Sequence, residues 1–230
     1  MGEQGDAHDV VGAGDGDVGD VAALRIDLVK TNGIFSLDGQ DFEVENNVWV
    51  VGNDDQVIVV DAAHDAEPII EALGDRALIL IVSTHGHNDH INAAEELALR
   101  TGAPVALHPD DAELWAGVYP DRPPDRALID SELLPVGEHR LRVIHTPGHS
   151  PGGVCLHDAE AAVVFSGDTL FQGGPGATGR SFSSFPTIIE SIRTRLLVLD
   201  RATTVHPGHG ADTTIGAEAP HLEEWIERGH

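Results

Sequence analysis

The stretch that decides the fold runs Leu78-Ile79-Leu80-Ile81-Val82-Ser83-Thr84-His85-Gly86-His87-Asn88-Asp89-His90. Its first five residues are all apolar, the pattern of a strand buried on both faces. A polar cluster follows at once, and beyond it Ile91, Ala94, Leu97 and Ala98 recur at helical spacing until Gly102 and Pro104 close the pattern. Strand, polar loop, helix is the unit predicted here. Four potential metal ligands fall within six residues of that loop. In an extended loop His85, His87 and Asp89 project alternately enough to converge while His90 points elsewhere, so the cluster can serve two metals.

The flanking sequence has the same grain. Upstream, Val48-Trp49-Val50-Val51, a polar turn at Gly52-Asn53-Asp54-Asp55, and Val57-Ile58-Val59-Val60 describe a hairpin, which Asp61 ends. A short helix follows from Ala66 to Leu73, with Pro68 in its first turn and Gly74 at its end. Downstream, strands are predicted at 104–108, 139–145, 153–157 and 161–166, and residues 119–124 form a Pro-rich loop. Pro186 opens an amphipathic helix through Leu199, Thr203 to Val205 returns as a strand, and a last helix spans about Glu218 to Glu227. Strands interleaved with helices predict an α/β layered fold. Residues 1 to 20 carry Gly, Asp and Val without a usable period, and read as a flexible acidic tail before one domain over 21–230.

Three further turns deliver chemistry. Thr146-Pro147-Gly148-His149, Ser166-Gly167-Asp168 and His206-Pro207-Gly208-His209 each follow a predicted strand, and each glycine lets the chain turn so that the next side chain stands at a loop rim. With the histidine loop they predict one shared site.

In these four blocks and their order, from about Val44 onward, the chain resembles the metallo-β-lactamase superfamily, and within it the glyoxalase II-like branch of hydroxyacyl-thiol hydrolases. The resemblance implies a four-layer αββα sandwich with the site at one edge, two metals and hydrolysis by a metal-bound hydroxide. It implies His85, His87 and His149 on the first metal, Asp89, His90 and His209 on the second, and Asp168 between them, with Asp89 and Asp168 serving catalysis. Neutral imidazoles with carboxylates suit zinc, and they accept iron or manganese. The expected cofactor is a pair of zinc ions, and the expected substrate a small thioester or related ester, because a thiolate leaves without a separate general acid. Arg180, the cation in the Gly-rich segment after Asp168, is the candidate substrate anchor.

The family pattern leaves alternatives open. Lactonases share these ligands, and the persulfide dioxygenases bind a single iron with the two histidine turns and the aspartate. Cysteine-containing lactamases carry Cys where this chain has Asp168. A metal-stabilised scaffold without catalysis is disfavoured, since structural zinc sites are closed four-ligand cages. The chain ends 21 residues after His209, too short for the helical domain that grips glutathione, and Gly210 replaces bulkier residues there. Another thiol carrier, such as mycothiol or coenzyme A, is the expectation from those differences.

Composition excludes other classes. Lys+Arg is 13 against 39 Asp+Glu, a formal net charge of −26 that repels nucleic acid and anionic membrane surfaces. There is no apolar run of membrane-spanning length and no secretory leader, so the expected location is cytoplasmic. Cys155, the only cysteine, lies in an apolar strand and reads as a buried inert thiol. Trp49, Trp115 and Trp225 read as packing residues. His64 reads as a loop histidine near the mouth, His145 and His206 as flanking the ligand turns, and His8, His108, His139, His157, His221 and His230 have no partner legible in the sequence.

Overall fold

The computed structural model describes residues 23–229, so the acidic tail read over residues 1 to 20, His8 and His230 lie outside the described residues. The first half forms a six-stranded sheet in sequence order: β1 (Arg25–Leu37), β2 (Gln40–Gly52), β3 (Gln56–Val60), β4 (Ala77–Val82), β5 (Val105–Leu107) and β6 (Arg126–Ala127). Pairing is antiparallel from β1 to β3 and parallel from β3 to β6. The parallel steps need crossovers, and α1 (Ala66–Leu73), α2 (Asn88–Ile91), α3 (Ala94–Thr101) and α4 (Ala112–Val118) supply them. The second sheet contains β7 (Leu133–Val136), β8 (His139–His145), β9 (Val154–Asp158), β10 (Val163–Gly167), β13 (Thr204–Pro207) and β14 (Thr213–Thr214), in the order β14-β13-β10-β9-β8-β7. A small ribbon of β11 (Leu170–Phe171) and β12 (Gly174–Pro175) follows β10. The helices of this half are α5 (Phe185–Ser191), α6 (Ile215–Glu218) and α7 (Leu222–Arg228).

Three apolar clusters show how the layers stack. Between the sheets, Trp49, Val51, Ile58, Val60, Leu80 and Val82 meet Leu134, Leu141, Val143, Leu156 and Phe165. The alternate residues of the first sheet, Val48, Val50, Val57 and Val59, pack outward on Ile69, Leu73, Leu97 and Trp115. On the far side Ile144, Cys155, Val164 and Val205 pack on Ile188, Ile192, Leu196 and Trp225. Helix, sheet, sheet, helix is the four-layer αββα sandwich, and each strand's alternation decides which cluster a side chain joins. All three tryptophans are buried.

Several elements depart from the sequence reading. The hairpin predicted at 48–60 forms from the inner end of β2 and β3, but β2 also continues outward and pairs with β1, the two running thirteen residues each to a second turn at Asp38-Gly39, both at positive φ as a two-residue hairpin turn requires. The single helix predicted from Pro186 to Leu199 ends as α5 at Ser191 and continues as a wider π-helical turn over Ile192–Leu196, where Leu197 N donates to Ile192 O. Helix α4, strands β6, β7 and β14 and the small ribbon had no counterpart in the reading. Among the described residues no helix is long and apolar enough to cross a membrane.

Cys155 sits where the reading put it. It is fully buried in the outer cluster, and burial pushes its thiol up to about 11 against hydrogen bonds from Thr146 and Thr169. At pH 8 the nucleophilic thiolate is therefore scarce as well as shielded. A thiol-reactive dye is expected to leave the native protein unmodified and to label one group per chain after unfolding; fast labelling of native protein would show that this layer opens.

Candidate metal centre

All five site loops leave the same edge of the sandwich, after β3, β4, β8, β10 and β13. That common exit is why residues separated by over a hundred positions meet. Beyond β4 the chain is extended through His87 and then turns into α2, so Asp89 and His90 stand on a helical turn. The expected strand-like alternation therefore stops at His87. His90 points away from His85 and His87 into a second set as expected, and Asp89 goes with it, His90 Nε2 lying 3.2 Å from His209 Nε2 and 3.4 Å from both Asp89 and Asp168.

Two sets of donors face each other across Asp168. In the first, His87 Nδ1 lies 3.0 Å from His149 Nε2, and the His85 ring is 4.8 and 4.9 Å from theirs. In the second, Asp89 Oδ2 lies 3.4 Å from His90 Nε2 and 3.3 Å from His209 Nε2. The Asp168 carboxylate touches both, with Oδ2 3.5 Å from His149 and 3.6 Å from His209, and Oδ1 3.4 Å from His90. The sequence-predicted donors are thus brought together, all seven.

The chemistry of this set fits cations. Ring nitrogens 3.0 to 3.2 Å apart bring lone pairs face to face unless a proton or a cation lies between them. His85 Nε2, Asp89 Oδ1 and Asp168 Oδ1 are buried without a hydrogen-bond partner, an arrangement that costs about 1–3 kcal/mol per group unless a ligand satisfies it. The opposite ring nitrogens are anchored: His90 Nδ1 donates to Asp61 at 3.0 Å, His149 Nδ1 to Ala177 O at 2.8 Å and His209 Nδ1 to Glu45 O at 2.7 Å. Each anchor fixes the tautomer that leaves Nε2 free as a donor to a metal.

The electrostatics separate the two sets. Burial, reinforced by neighbouring imidazoles, pushes His85 well below the usual histidine range and His87 down to about 3. Burial acts the other way on the carboxylates, yet His90 and its neighbours outweigh it, holding Asp89 at about 2 and Asp168 well below the usual range. In His90 and His209 the surrounding carboxylates overcome burial and raise the imidazoles. His85 and His87 are thus neutral nitrogen donors, and the second set is rich in anionic oxygen.

Other predicted residues fall outside this cluster. Arg180 is at the mouth, where its Nη1 donates to Gln40 Oε1 at 3.0 Å and its guanidinium lies 4.9 Å from the centre of the Phe42 ring. It lines a cavity with Phe35, Leu37, His87, His149 and Ser183. His64 stands behind Asp89, bonded to Asn46 rather than facing the mouth. His206 packs on Trp49 and Phe165. His145 and His108 stack at 4.1 Å with planes 12° apart, and although Asp110 is close, in-plane lone pairs of parallel rings do not converge on one ion.

Sequence reasoning missed the residues that hold the loops. Asp61 accepts from Thr84 N at 2.7 Å, Thr84 Oγ1 at 2.8 Å and His90 Nδ1, its only signal being a carboxylate at the end of an apolar strand. Asp111 accepts from Gly86 N at 2.8 Å, Ser150 Oγ at 2.7 Å and Gly152 N at 2.5 Å, tying the His87 loop to the His149 loop. No local signal marked it. Gly208 is required by close approach, since a Cβ there would lie 2.5 Å from Asp168 Oδ1. Replacing Asp111 with Ala strands three buried donors and is expected to destabilise the protein by at least about 2 kcal/mol. A thermal melt checks this; an unchanged midpoint would show that the two loops hold themselves.

A model of the metallo-beta-lactamase superfamily matches residues 42–209, a span that contains all seven donors. The chain is 31% identical over 190 residues to hydroxyacylglutathione hydrolase GloC of Haemophilus influenzae, covering 76% of this chain and 90% of that protein. It is similar to the crystal structure of the BLEG-1 B3 metallo-beta-lactamase, with 31% identity, a TM-score of 0.71 and coverage of 84% of this chain and 98% of that one. It is also similar to TTHA1623 in a di-iron-bound form, with 33% identity, a TM-score of 0.68 and coverage of 76% and 93%. By its fold, its donor set and these matches, the chain belongs to the metallo-β-lactamase superfamily of metallo-hydrolases.

Proposed function

We propose that the protein is a binuclear metal-dependent hydrolase that cleaves a thioester of the hydroxyacyl-thiol type. The observation that carries this reading is the position of Asp168, whose carboxylate contacts His149 of one donor set and His90 and His209 of the other. His85, His87 and His149 would hold the first ion, Asp89, His90 and His209 the second, with Asp168 shared. Zinc suits such a mixture of imidazole and carboxylate, and iron or manganese is accepted by the same donors. The di-iron form of a protein 33% identical supports double occupancy. Bound there, a cation pair supplies an acidified water at neutral pH and polarises the substrate carbonyl.

The chain's own residues account for the rest. Asp61 holds His90 in one tautomer, and Thr84, whose hydroxyl donates to Asp61, stands 3.1 Å from His85 Nδ1 and holds that ring as well. Phe35 and Leu37 give the cavity an apolar wall for the acyl or carrier chain. Besides the His87 and His149 imidazoles, which this reading assigns to the first ion, its polar groups are the hydroxyls of Thr178, Ser181 and Ser183 and the Arg180 guanidinium, none of them a general acid at neutral pH. A thiolate departs without protonation, whereas an alkoxide or amine needs a proton that this lining does not offer, which favours thioesters over lactones and lactams. Arg180 meets a polar or anionic group of the substrate. A single buried cysteine and no disulfide among the described residues suit a cytoplasmic setting.

Three experiments test this. Asp168→Ala is expected to lose one or both metals and about 10³-fold or more in thioester turnover, the scale of losing several kcal/mol of charge stabilisation. In the wild type, two metals per chain with thioester hydrolysis supports the reading, whereas one iron with oxygen uptake on a persulfide, or turnover of lactones alone, contradicts it. Arg180→Ala is expected to raise KM about tenfold, a single ion-pair's worth, with kcat nearly unchanged. A fall in kcat with KM constant would place Arg180 in the chemical step instead.

A further inference from the structure

His64 occupies a position its chemistry does not favour. It sits just after β3 with φ of 59°, in the left-handed region where glycine is the usual occupant. Its imidazole lies directly on the backbone of Gly33 in β1, so close that a Cβ at that residue would be 2.1 Å from Nδ1 and 2.5 Å from Cγ. Strain at one residue and a missing side chain at another, on separate elements, both serve to place this ring. An unfavourable conformation persists where its surroundings over-determine it, and it is found at functional sites.

The ring's contacts show what the placement does. Asn92, at the C-cap of α2, brackets His64 from one side: its Oδ1 accepts from His64 N at 2.5 Å, and its Nδ2 donates to His64 Nδ1 at 3.1 Å. That donation leaves the proton on Nε2, which donates to Asn46 Oδ1 at 2.8 Å. With its oxygen so engaged, the Asn46 carboxamide has one orientation left. Its Nδ2 then donates to Asp89 Oδ2 at 3.0 Å and lies 3.4 Å from both His90 Nε2 and His209 Nε2. Asn46 is fully buried, so a rotated amide would set its oxygen against the Asp89 carboxylate.

We propose that His64 is a positioning residue for the second metal: through Asn46 it orients Asp89 and, with it, the set formed by His90 and His209. This rests on the binuclear reading above and adds an asymmetry to it, because among the described residues the polar contacts of His64, Asn92 and Asn46 lead to Asp89, His90 and His209 and not to His85, His87 or His149. The second ion is held through a chain that begins in a strained loop and a glycine notch of β1, while the first is not. Outer hydrogen-bond partners of this kind typically change metal affinity by about ten- to a hundredfold when removed.

The test follows metal release from the zinc-loaded protein to an excess of a chromophoric chelator. Wild type is expected to give up two ions per chain. In His64→Gly, which removes the ring and suits the backbone, one ion is expected to leave about tenfold faster or more and the other at the wild-type rate. Gly33→Ala, which evicts the ring without touching the site, is expected to do the same, and the double variant to be no worse than His64→Gly alone. Release within twofold of wild type in His64→Gly, acceleration of both ions together, or additive effects in the double variant would overturn the proposal. A wild type that yields fewer than two ions would instead overturn the binuclear reading on which it stands. Melting curves of the loaded variants separate a loosened site from a damaged fold.

Discussion

Lone pairs that face one another in a buried space set the terms for this protein. Imidazole nitrogens approach to 3.0 and 3.2 Å, and carboxylate oxygens of Asp89 and Asp168 are buried beside them without hydrogen-bond partners. Burial makes such an arrangement costly, and cations relieve it for every donor at once. The two sheets contribute by ending five strands at one edge, where glycines allow backbones close enough for the side chains to converge. A bound cation would therefore stabilise that edge, while the three apolar clusters hold the rest of the sandwich together.

Around the donors lies a layer of carboxylates and amides. Asp61 joins the β3 end to the histidine loop and to His90; Asp111 joins that loop to the His149 turn; Asn47 and Trp49 hold the last turn through Pro207 O, with Asn47 also reaching Gly210 O. Each crosses between segments far apart in sequence. Their effect is to fix tautomers and ring directions before any ion arrives, so that donor geometry does not depend on the ion to organise it.

Much of this was legible in the sequence, and the reasons are local. The apolar runs at 57–60 and 78–82 carry a two-sided burial that no surface strand has, and the Gly-Asp and Gly-His turns carry the steric signature of side chains presented at strand ends. The donors followed from those two signals and from the family pattern. The long ribbon was less readable, because its outer half from Ile34 to Glu43 stands away from the core and alternates weakly; yet Asp38-Gly39 was a hairpin signal that could have been used. Asp111 and Asn46 were not readable at all. Their roles depend on partners 18 to 163 residues away, and a short polar residue looks the same in sequence whether it faces water or braces a buried loop. The π-helical turn after α5 was not signalled either, because Ile192 and Leu196 stand four apart and an ordinary α-helix would bury both as well.

In the binuclear reading one carboxylate, Asp168, is shared by two ions. Anomalous diffraction from crystals of the protein purified without chelator, collected on both sides of the absorption edge of the metal found, locates the ions. Two peaks are expected to flank the Asp168 carboxylate, one among His85, His87 and His149 and the other among Asp89, His90 and His209. A single peak, or two peaks with Asp168 bound to neither or to only one, would contradict that reading.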